Sequence, residues 1–261
     1  MNKNELYNYW KSEEEKAHIN GWDFSYIEGR YDSEENDLPW DYRDVINKYR
    51  KDSDKLLDID TGGGEFLLSL VHPCKLTYAT ENYPPNVQLC REKFSKLGIG
   101  FEDVGDYSHM PYPDECFDIV INRHGEYDPK EIFRILKKGG VFITQQVGEG
   151  NDRELVELLL PDVMPQFGGH DLAHNVKKFK DAGFSILEQN EAFRPIRFLE
   201  VGALVWFAQI IEWEFVGFSV DKCFENLLRA EEIIGEKGCV EGTIHRFFIA
   251  AQKTNSDFQD L

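Results

Sequence analysis

The stretch that decides the fold is LLDIDTGGGEF, residues 56–66, where an apolar run ends in two acids and three glycines follow. Its first half has the composition of a buried strand. A strand that turns straight into a helix leaves the first N–H groups of that helix free, and glycine lets a ligand approach them closely. We interpret Gly62, Gly63 and Gly64 as a nucleotide-type loop before a helix that begins near Glu65. A plain tight turn would account for one or two of these glycines.

From Lys55 onwards the chain alternates between strand-like and helix-like segments. The helix-like segments include PPNVQLCREKFSKLG (84–98), in which apolar residues recur at helical spacing. Such alternation favours βαβ units and a parallel sheet. The strand-like runs are KLLDID, KLTYATE, GIGFEDV, FDIVIN, GGVFITQQV, FSILEQNEAF and TIHRFFIAAQK.

Composition divides the chain into parts. Residues 1–45 are polar and aromatic-rich, and we expect them to form an N-terminal helical cap. The main α/β domain is expected over residues 46–254, with an inserted lid at about 195–240, and residues 255–261 form a tail.

Charge and hydropathy exclude several classes of partner. The chain has 261 residues and a formal net charge of −19, which disfavours binding to nucleic acid or to an anionic membrane. Its five cysteines are scattered singly, which fits reduced thiols in the cytoplasm. The longest apolar run, VGALVWFAQII (201–211), is too short to span a bilayer. We therefore expect a cytoplasmic protein with a small-molecule ligand.

A carboxylate follows the glycine loop at an informative distance. Glu81 ends the second strand-like run, 23 positions after Asp58. An acid at that distance, at the carboxyl end of a strand, can accept hydrogen bonds from both hydroxyls of a ribose. The alternative is a charge that only serves the start of the helix that follows.

Four segments together resemble the class I S-adenosylmethionine-dependent methyltransferases, in particular the small-molecule, ubiquinone-biosynthesis-like branch. LLDIDTGGGEF resembles the first motif of that family, ATENYPPN the second, VGDYSHMPYPDECFDIVIN the third and fourth, and EIFRILKKGGVFI the helix and fifth strand. The resemblance covers roughly residues 55–147. It implies a Rossmann-like, doubly wound α/β fold with a mostly parallel seven-stranded sheet and an antiparallel last strand. It also implies methyl transfer from S-adenosyl-L-methionine to a small-molecule acceptor.

The resemblance implies a set of cofactor-binding residues. Asp58 and the loop glycines would lie under the methionine and ribose part, Glu81 would bind the ribose hydroxyls, and Asn122 would lie near the methionine moiety. Asp106 would accept from the adenine amine, and the backbone of Tyr107 would meet the ring nitrogen beside it. The full set is Asp58, Asp60, Gly62, Gly63, Gly64, Glu81, Asn82, Asp106, Tyr107 and Asn122.

Asp60 departs from the family pattern, because it stands at the position of the first glycine. Its carboxylate could repel the carboxylate of the cofactor, or it could hold the ammonium group. This residue keeps open the alternative of a non-catalytic relative that binds a nucleoside or a partner protein.

The segment NRHGEYD (122–128) follows the fourth strand, at the carboxyl edge where such folds place ligands. Methyl transfer is a direct displacement, so the protein mainly aligns donor and acceptor and excludes water. His124 is the first candidate for a general base, which is needed only if the acceptor must lose a proton. Arg123 could orient an anionic acceptor. The alternative for His124 is a loop residue hydrogen-bonded to backbone.

Two aromatic-rich segments are candidates for the acceptor site. Aromatic walls suit an aromatic or lipid-like acceptor. The alternative is that the two segments bury against each other as core or form a dimer contact. Their residues are Tyr7, Trp10, Trp22, Phe24, Tyr26 and Trp40 in the first, and Phe198, Trp206, Phe207, Trp213, Phe215 and Phe218 in the second.

Two histidines and two rival enzyme classes remain to be considered. His170 and His174 have a spacing that can bind a metal, but no third ligand is evident. We expect instead a helix start capped by Gly169 and Asp171, and no metal site. An RNA or protein methyltransferase fits less well, because of the acidic charge and the lack of a base-amine motif. An NAD-dependent oxidoreductase fits the glycine spacing less well.

Overall fold

The computed structural model describes residues 1–19, 23–34 and 37–254. Trp22 and the predicted tail at 255–261 lie outside the described residues. The α-helices are α1 (Lys3–Lys16), α2 (Tyr42–Tyr49), α3 (Glu65–Ser69), α4 (Pro84–Leu97), α5 (Pro129–Ile135), α6 (Arg153–Leu159), α7 (Leu172–Asp181), α8 (Val201–Ile210) and α9 (Val220–Lys237). The strands are β1 (Tyr31–Ser33), β2 (Leu56–Ile59), β3 (Thr77–Glu81), β4 (Gly100–Asp103), β5 (Phe117–Arg123), β6 (Leu136–Val147), β7 (Phe184–Phe198) and β8 (Val240–Lys253).

The described strands form one mostly parallel sheet in the order β1-β7-β8-β6-β5-β2-β3-β4. Strands β2 to β6 pair in parallel, and β8 runs antiparallel to β6. The predicted α/β sheet with an antiparallel last strand is therefore confirmed. The sheet has eight strands rather than the seven predicted, because β1 pairs antiparallel with the end of β7. A strand of three residues is too short to show an alternating pattern in the sequence.

Helix α5 is shorter than the helix-like stretch DPKEIFRILKKGG (128–140) that contains it. It ends at Ile135, and β6 begins at the next residue. The backbone N–H groups of Glu115 and Cys116 bond to the carbonyl oxygens of Arg134 and Ile135. The last carbonyls of α5 therefore pair with the segment that leads into β5, which ends the helix.

The chain divides into two compact units. The first unit comprises residues 1–38, 148–169 and 192–245. The second unit comprises residues 39–147, 170–191 and those from Arg246 onwards. Each unit has its own hydrophobic cluster or clusters.

The first unit buries half of the aromatic residues that the sequence offered for an acceptor site, while Tyr26 and Trp213 are 43% and 42% exposed. Trp10 and Trp206 are each 1% exposed and belong to one core cluster. The ring of Trp10 contacts that of Phe224, and Tyr26 stacks on Trp206 at 5.5 Å. Helix α8 is apolar all round and buried almost throughout, as expected for a helix inside a core. Phe24 and Tyr26 of the first aromatic segment thus pack against Trp206 of the second within this unit. None of the described helices is both long and apolar enough to cross a membrane.

The second unit carries helices on both faces of its sheet. Alternate residues of β2 face opposite sides: Leu56 joins a cluster with residues of α2 and α4, while Leu57 and Ile59 join a cluster with residues of α5 and α7. Helices therefore cover both faces of this sheet, which is the doubly wound arrangement. Since parallel strands end at a common edge, the ends of β2, β3 and β5 bring their polar residues together.

Candidate functional site

The glycine loop joins β2 to α3 in the second unit. Gly64 precedes α3 with a left-handed φ of 80°, and a Cβ there would lie 2.3 Å from Cζ of Phe94. Only glycine allows this close approach. Gly62 is also left-handed, with φ of 62°, but a Cβ there would meet no atom within 4 Å. The loop is therefore packed against α4 at one end and open at Gly62.

Glu81 lies directly against this loop. Its Oε2 accepts a hydrogen bond from the backbone N of Gly62 at 2.6 Å. Its Oε1 accepts from the backbone N of Asn82 at 3.0 Å and of Tyr83 at 2.9 Å. Because Glu81 is only 2% exposed, these bonds fix both the carboxylate and the loop. Lys93 of α4 adds a bond to the carbonyl oxygen of Gly63.

Three carboxylates gather around the loop: Asp58, Asp60 and Glu81. Burial and the negative charges of Asp60 and Glu81 raise the pKa of Asp58 to about 7, against the opposing effects of the Thr61 hydroxyl and Arg123. Burial, and then the charge of Asp60, also raise the pKa of Glu81. Burial is the main cause of both shifts and the repulsion among the acids adds to it, so a positively charged ligand beside these carboxylates would be stabilised.

The structure shows where the unusual Asp60 side chain is directed. Asp60 has a left-handed φ of 60°, a conformation that Asp tolerates better than most residues. Its Oδ2 accepts from the backbone N of Glu126 at 3.3 Å. A Cβ at Gly125 would lie 2.5 Å from Cβ of Asp60, so the loop after β5 can approach only because it has glycine there. The carboxylate is thus held against the segment after β5.

Tyr107 contributes its side chain to this cluster, whereas the family resemblance implied only a backbone contact. It is 3% exposed, and its hydroxyl has no hydrogen-bond partner among the described residues. Burial and the charges of Asp60 and Glu81 raise its pKa. The tyrosine therefore lies close to the carboxylates.

Asp106 and Asn82 are both exposed. Asp106 accepts hydrogen bonds from the backbone N and the hydroxyl of Ser108 at 2.8 and 2.6 Å, which lower its pKa. Asp106 therefore caps a turn. Neither of these hydrogen bonds connects it to the three carboxylates. Tyr83, beside Asn82, is 59% exposed at the start of α4.

Asn122 is fully buried and its side chain is engaged by neighbouring strands. Its Nδ2 donates to the carbonyl oxygen of Ile59 at 3.0 Å, and its Oδ1 accepts from Thr144 and Gln146 at 3.1 and 2.6 Å. The backbone oxygen of Asn122 accepts from the hydroxyl of Tyr42 at 2.7 Å. Asn122 therefore holds the ends of β2, β5 and β6 together.

Sequence reasoning missed Tyr42, Thr144 and Gln146. The only signal for the last two was the polar run TQQ inside an otherwise apolar strand. Nothing in the sequence distinguished Tyr42 from the other tyrosines of the N-terminal segment.

His124 and Arg123 lie at the carboxyl end of β5, as predicted. His124 has a left-handed φ of 61°, and its backbone N donates to the carbonyl oxygen of Gln145 at 2.8 Å. The guanidinium of Arg123 lies 4.6 Å above the ring of Phe66. Both residues are exposed.

The surroundings of His124 disfavour its protonation. Partial burial of the ring lowers its pKa well below the usual value, and the positive charges of Arg246 and Arg123 act in the same direction. Part of the ring surface nevertheless remains accessible to solvent. These surroundings favour the neutral form of the imidazole.

The predicted helix start after Gly169 is confirmed. Asp171 is the N-cap of α7 and accepts from the backbone N of His174 at 2.8 Å. The same carboxylate lies 2.8 Å from Nδ1 of His174. No group of three or more His, Cys, Asp or Glu residues that could hold a metal ion occurs in the part of the chain that the structure describes.

Comparison with known proteins adds independent information. A family model described as a methyltransferase domain matches residues 57–144, which run from β2 to β6. An uncharacterized methyltransferase of Anoxybacillus flavithermus is 26% identical over 174 residues, covering 60% of this chain and 77% of that protein.

A phthiotriol/phenolphthiotriol dimycocerosates methyltransferase of Mycobacterium tuberculosis is 31% identical over 98 residues, which is 35% of this chain. The match spans only 36% of the length of that relative.

Solved structures show the same fold. A candidate methyltransferase of Bacillus halodurans aligns with a TM-score of 0.58 and 17% identity over 82% of this chain and 99% of its own. The YcgJ protein of Bacillus subtilis aligns with a TM-score of 0.55 and 14% identity over 82% and 98% of the two chains. The matched domain over residues 57–144 and the shared fold together indicate a class I S-adenosylmethionine-dependent methyltransferase.

Proposed function

We propose that this protein binds S-adenosyl-L-methionine at the glycine loop and transfers its methyl group to a small-molecule acceptor. The observation that carries this proposal is the cluster of three carboxylates, in which the pKa values of Asp58 and Glu81 are raised. A ligand with a positively charged sulfur and an ammonium group would offset the repulsion among these acids. A neutral or anionic nucleotide would not.

The residues around the loop fit the chemical groups of this cofactor. The open space above Gly62 lets a ligand approach the backbone. Glu81 has two carboxylate oxygens beside that space and would bind the ribose hydroxyls. Asp60 would hold the ammonium group, and Asp58 would add negative charge from below the loop. The cofactor supplies an electrophilic methyl group on a positively charged sulfur.

The remaining residues of the set support these contacts. Asn122 has its side chain committed to neighbouring strands and would position the loop rather than touch the ligand. Tyr107, buried next to the carboxylates, would keep water away from them. Asp106 and Asn82, both exposed, are proposed to meet the adenosine part.

On the acceptor side we propose an aromatic or lipid-like small molecule. The segment after β5 presents the guanidinium of Arg123 over the ring of Phe66, which offers a cation and an aromatic face together. The Mycobacterium tuberculosis relative is named for action on phthiotriol and phenolphthiotriol dimycocerosates. This supports an apolar acceptor that carries a hydroxyl group.

Calorimetric titration with S-adenosyl-L-methionine tests the proposal. We expect the wild-type protein to bind, and Glu81→Gln to bind at least about 10-fold more weakly, since a charge-assisted hydrogen bond is worth about 1.5–3 kcal/mol. Glu102→Gln is the matched control, because Glu102 is an exposed acid on the neighbouring strand β4. Absence of wild-type binding, or equal binding by the two variants, would contradict the proposed site.

A second experiment identifies the acceptor class. Cofactor with a radioactive methyl group is incubated with the protein and with phenols, hydroxylated lipids, RNA or proteins. We expect transfer to the small apolar molecules. Transfer only to RNA or protein would overturn the acceptor assignment while leaving cofactor binding intact.

A further inference from the structure

Three side chains of the second unit form a continuous hydrogen-bonded row. The indole Nε1 of Trp40 donates to Oε1 of Gln145 at 2.8 Å. The amide Nε2 of Gln145 lies 3.2 Å from Nε2 of His124. Gln145 is only 7% exposed, so its amide has little access to water as an alternative partner.

The indole fixes the orientation of the amide. An indole N–H can only donate, so Gln145 must turn its oxygen toward Trp40. The opposite orientation would place two donors face to face and leave both unsatisfied in a buried position. The amide nitrogen of Gln145 therefore faces His124.

The amide in turn fixes the tautomer of the histidine. Because Gln145 presents an N–H to Nε2 of His124, that nitrogen must carry a lone pair and accept. The proton of the neutral imidazole then resides on Nδ1. A second proton, on Nε2, would place an N–H group of His124 against the N–H group of Gln145. The hydrogen-bonded row therefore disfavours the protonated ring. The neighbouring cations Arg123 and Arg246 act in the same direction.

We propose that His124 binds the methyl acceptor as a hydrogen-bond donor through Nδ1–H, with Trp40 and Gln145 as positioning residues, and that it does not act as a general base. This rests on the proposed function. Its Nε2 is occupied by Gln145 and its Nδ1 already carries a proton, so the neutral ring has no lone pair available to remove a proton. The acceptor that it recognises presents a lone pair, such as a carbonyl oxygen or an oxygen that has already lost its proton.

Backbone geometry supports a fixed direction for this donor. His124 is held in a left-handed conformation, and its backbone N also bonds to Gln145. One residue of β6 thus holds both the main chain and the ring of His124. A strained backbone that is fixed from both sides is common at sites that need a preset orientation.

Nitrogen-15 NMR of protein labelled at histidine tests the tautomer without any cofactor or acceptor. We expect the signals of His124 to show a proton on Nδ1 and to stay unchanged from about pH 5.5 to pH 8. The signals are assigned by their loss in His124→Asn. A proton on Nε2, or ordinary titration near the usual histidine pKa, would overturn the proposal even if the cofactor binds.

Replacing Gln145 by Glu should have the opposite effect on the protonation of His124. A carboxylate at this position can accept from both Trp40 and Nε2–H of His124, so we expect the ring to become protonated with a midpoint at least one pH unit higher. His174 is the internal control, because it is bonded to Asp171 and should be unaffected. A folded variant with an unchanged His124 titration would count against the row.

A methyl-transfer assay with the acceptor distinguishes a hydrogen-bond donor from a general base at His124. Asparagine can donate a hydrogen bond but cannot take a proton. We expect His124→Ala to raise KM at least 10-fold, and His124→Asn, which can still donate a hydrogen bond, to raise KM less. Equal loss of kcat in both variants would show that His124 acts as a base.

Discussion

Replacing Asp58 by asparagine should stabilise the protein and weaken cofactor binding at the same time. Asp58 is 4% exposed and accepts a hydrogen bond from the hydroxyl of Thr61 at 2.6 Å. Asparagine has the same shape and can accept the same bond, but it carries no charge. The variant therefore removes the buried charge, and with it the repulsion from Asp60 and Glu81, and keeps the packing.

The expected gain follows from the pKa of Asp58, which rises from 3.8 to about 7 on folding. Between these values the folded protein holds a proton that the unfolded chain has lost, so stability falls as pH rises from 3.8 to about 7. At 1.36 kcal/mol per pH unit, the loss reaches roughly 2 kcal/mol at pH 5.5 and roughly 4 kcal/mol above pH 7. Asp58→Asn should recover these amounts, so its advantage grows by about 2 kcal/mol between pH 5.5 and 8.5.

Urea unfolding followed by tryptophan fluorescence measures this difference at the two pH values. Asp52→Asn, which changes an exposed acid, should show no such dependence. In a parallel titration, Asp58→Asn should bind S-adenosyl-L-methionine more weakly, because one negative charge near the sulfonium is lost. If Asp58→Asn is no more stable than the wild type, or is more stable by the same amount at both pH values, the reasoning about the carboxylate cluster is refuted.

Two further substitutions test the packing of the site. Gly64→Ala is expected to lower the free energy of unfolding by more than about 2 kcal/mol, because its Cβ would meet the buried ring of Phe94. Gly98→Ala, with a similar φ of 74° and no atom within 4 Å, should cost only about 1 kcal/mol; thermal unfolding of both variants gives the comparison. Tyr107→Phe removes a buried hydroxyl without a partner and should raise stability by about 1 kcal/mol; a loss in the same assay would show that the hydroxyl is satisfied in solution.

The part of the site that follows from the sequence is local. Strand β2, the glycine loop and the start of α3 occupy a few consecutive residues, so composition alone predicts their conformation. Glu81 could be placed beside the loop because neighbouring parallel strands end at one edge of a sheet. The observed bond between Glu81 and Gly62 agrees with that expectation.

The contacts around His124 were beyond sequence reasoning because they join distant segments. Trp40 lies 105 positions before Gln145, and no periodic pattern connects them. The orientation of the Gln145 amide, and with it the proton of His124, depends on a single indole N–H. Only a three-dimensional structure reveals such a dependence.

The aromatic segments illustrate a different limit. A segment rich in aromatic residues has the same composition whether these residues, such as Trp10 and Trp206, line a ligand site or fill a core. The sequence therefore left both alternatives open, and the structure buries both residues in the core of the first unit.

A crystal structure of the protein soaked with S-adenosylhomocysteine tests most directly whether the glycine loop and Glu81 hold the cofactor. We expect ligand density over Gly62, with the ribose hydroxyls bonded to the carboxylate of Glu81. Density at another surface, or a loop that stays bonded to Glu81 with no ligand at saturating concentration, would contradict the assignment of this cleft.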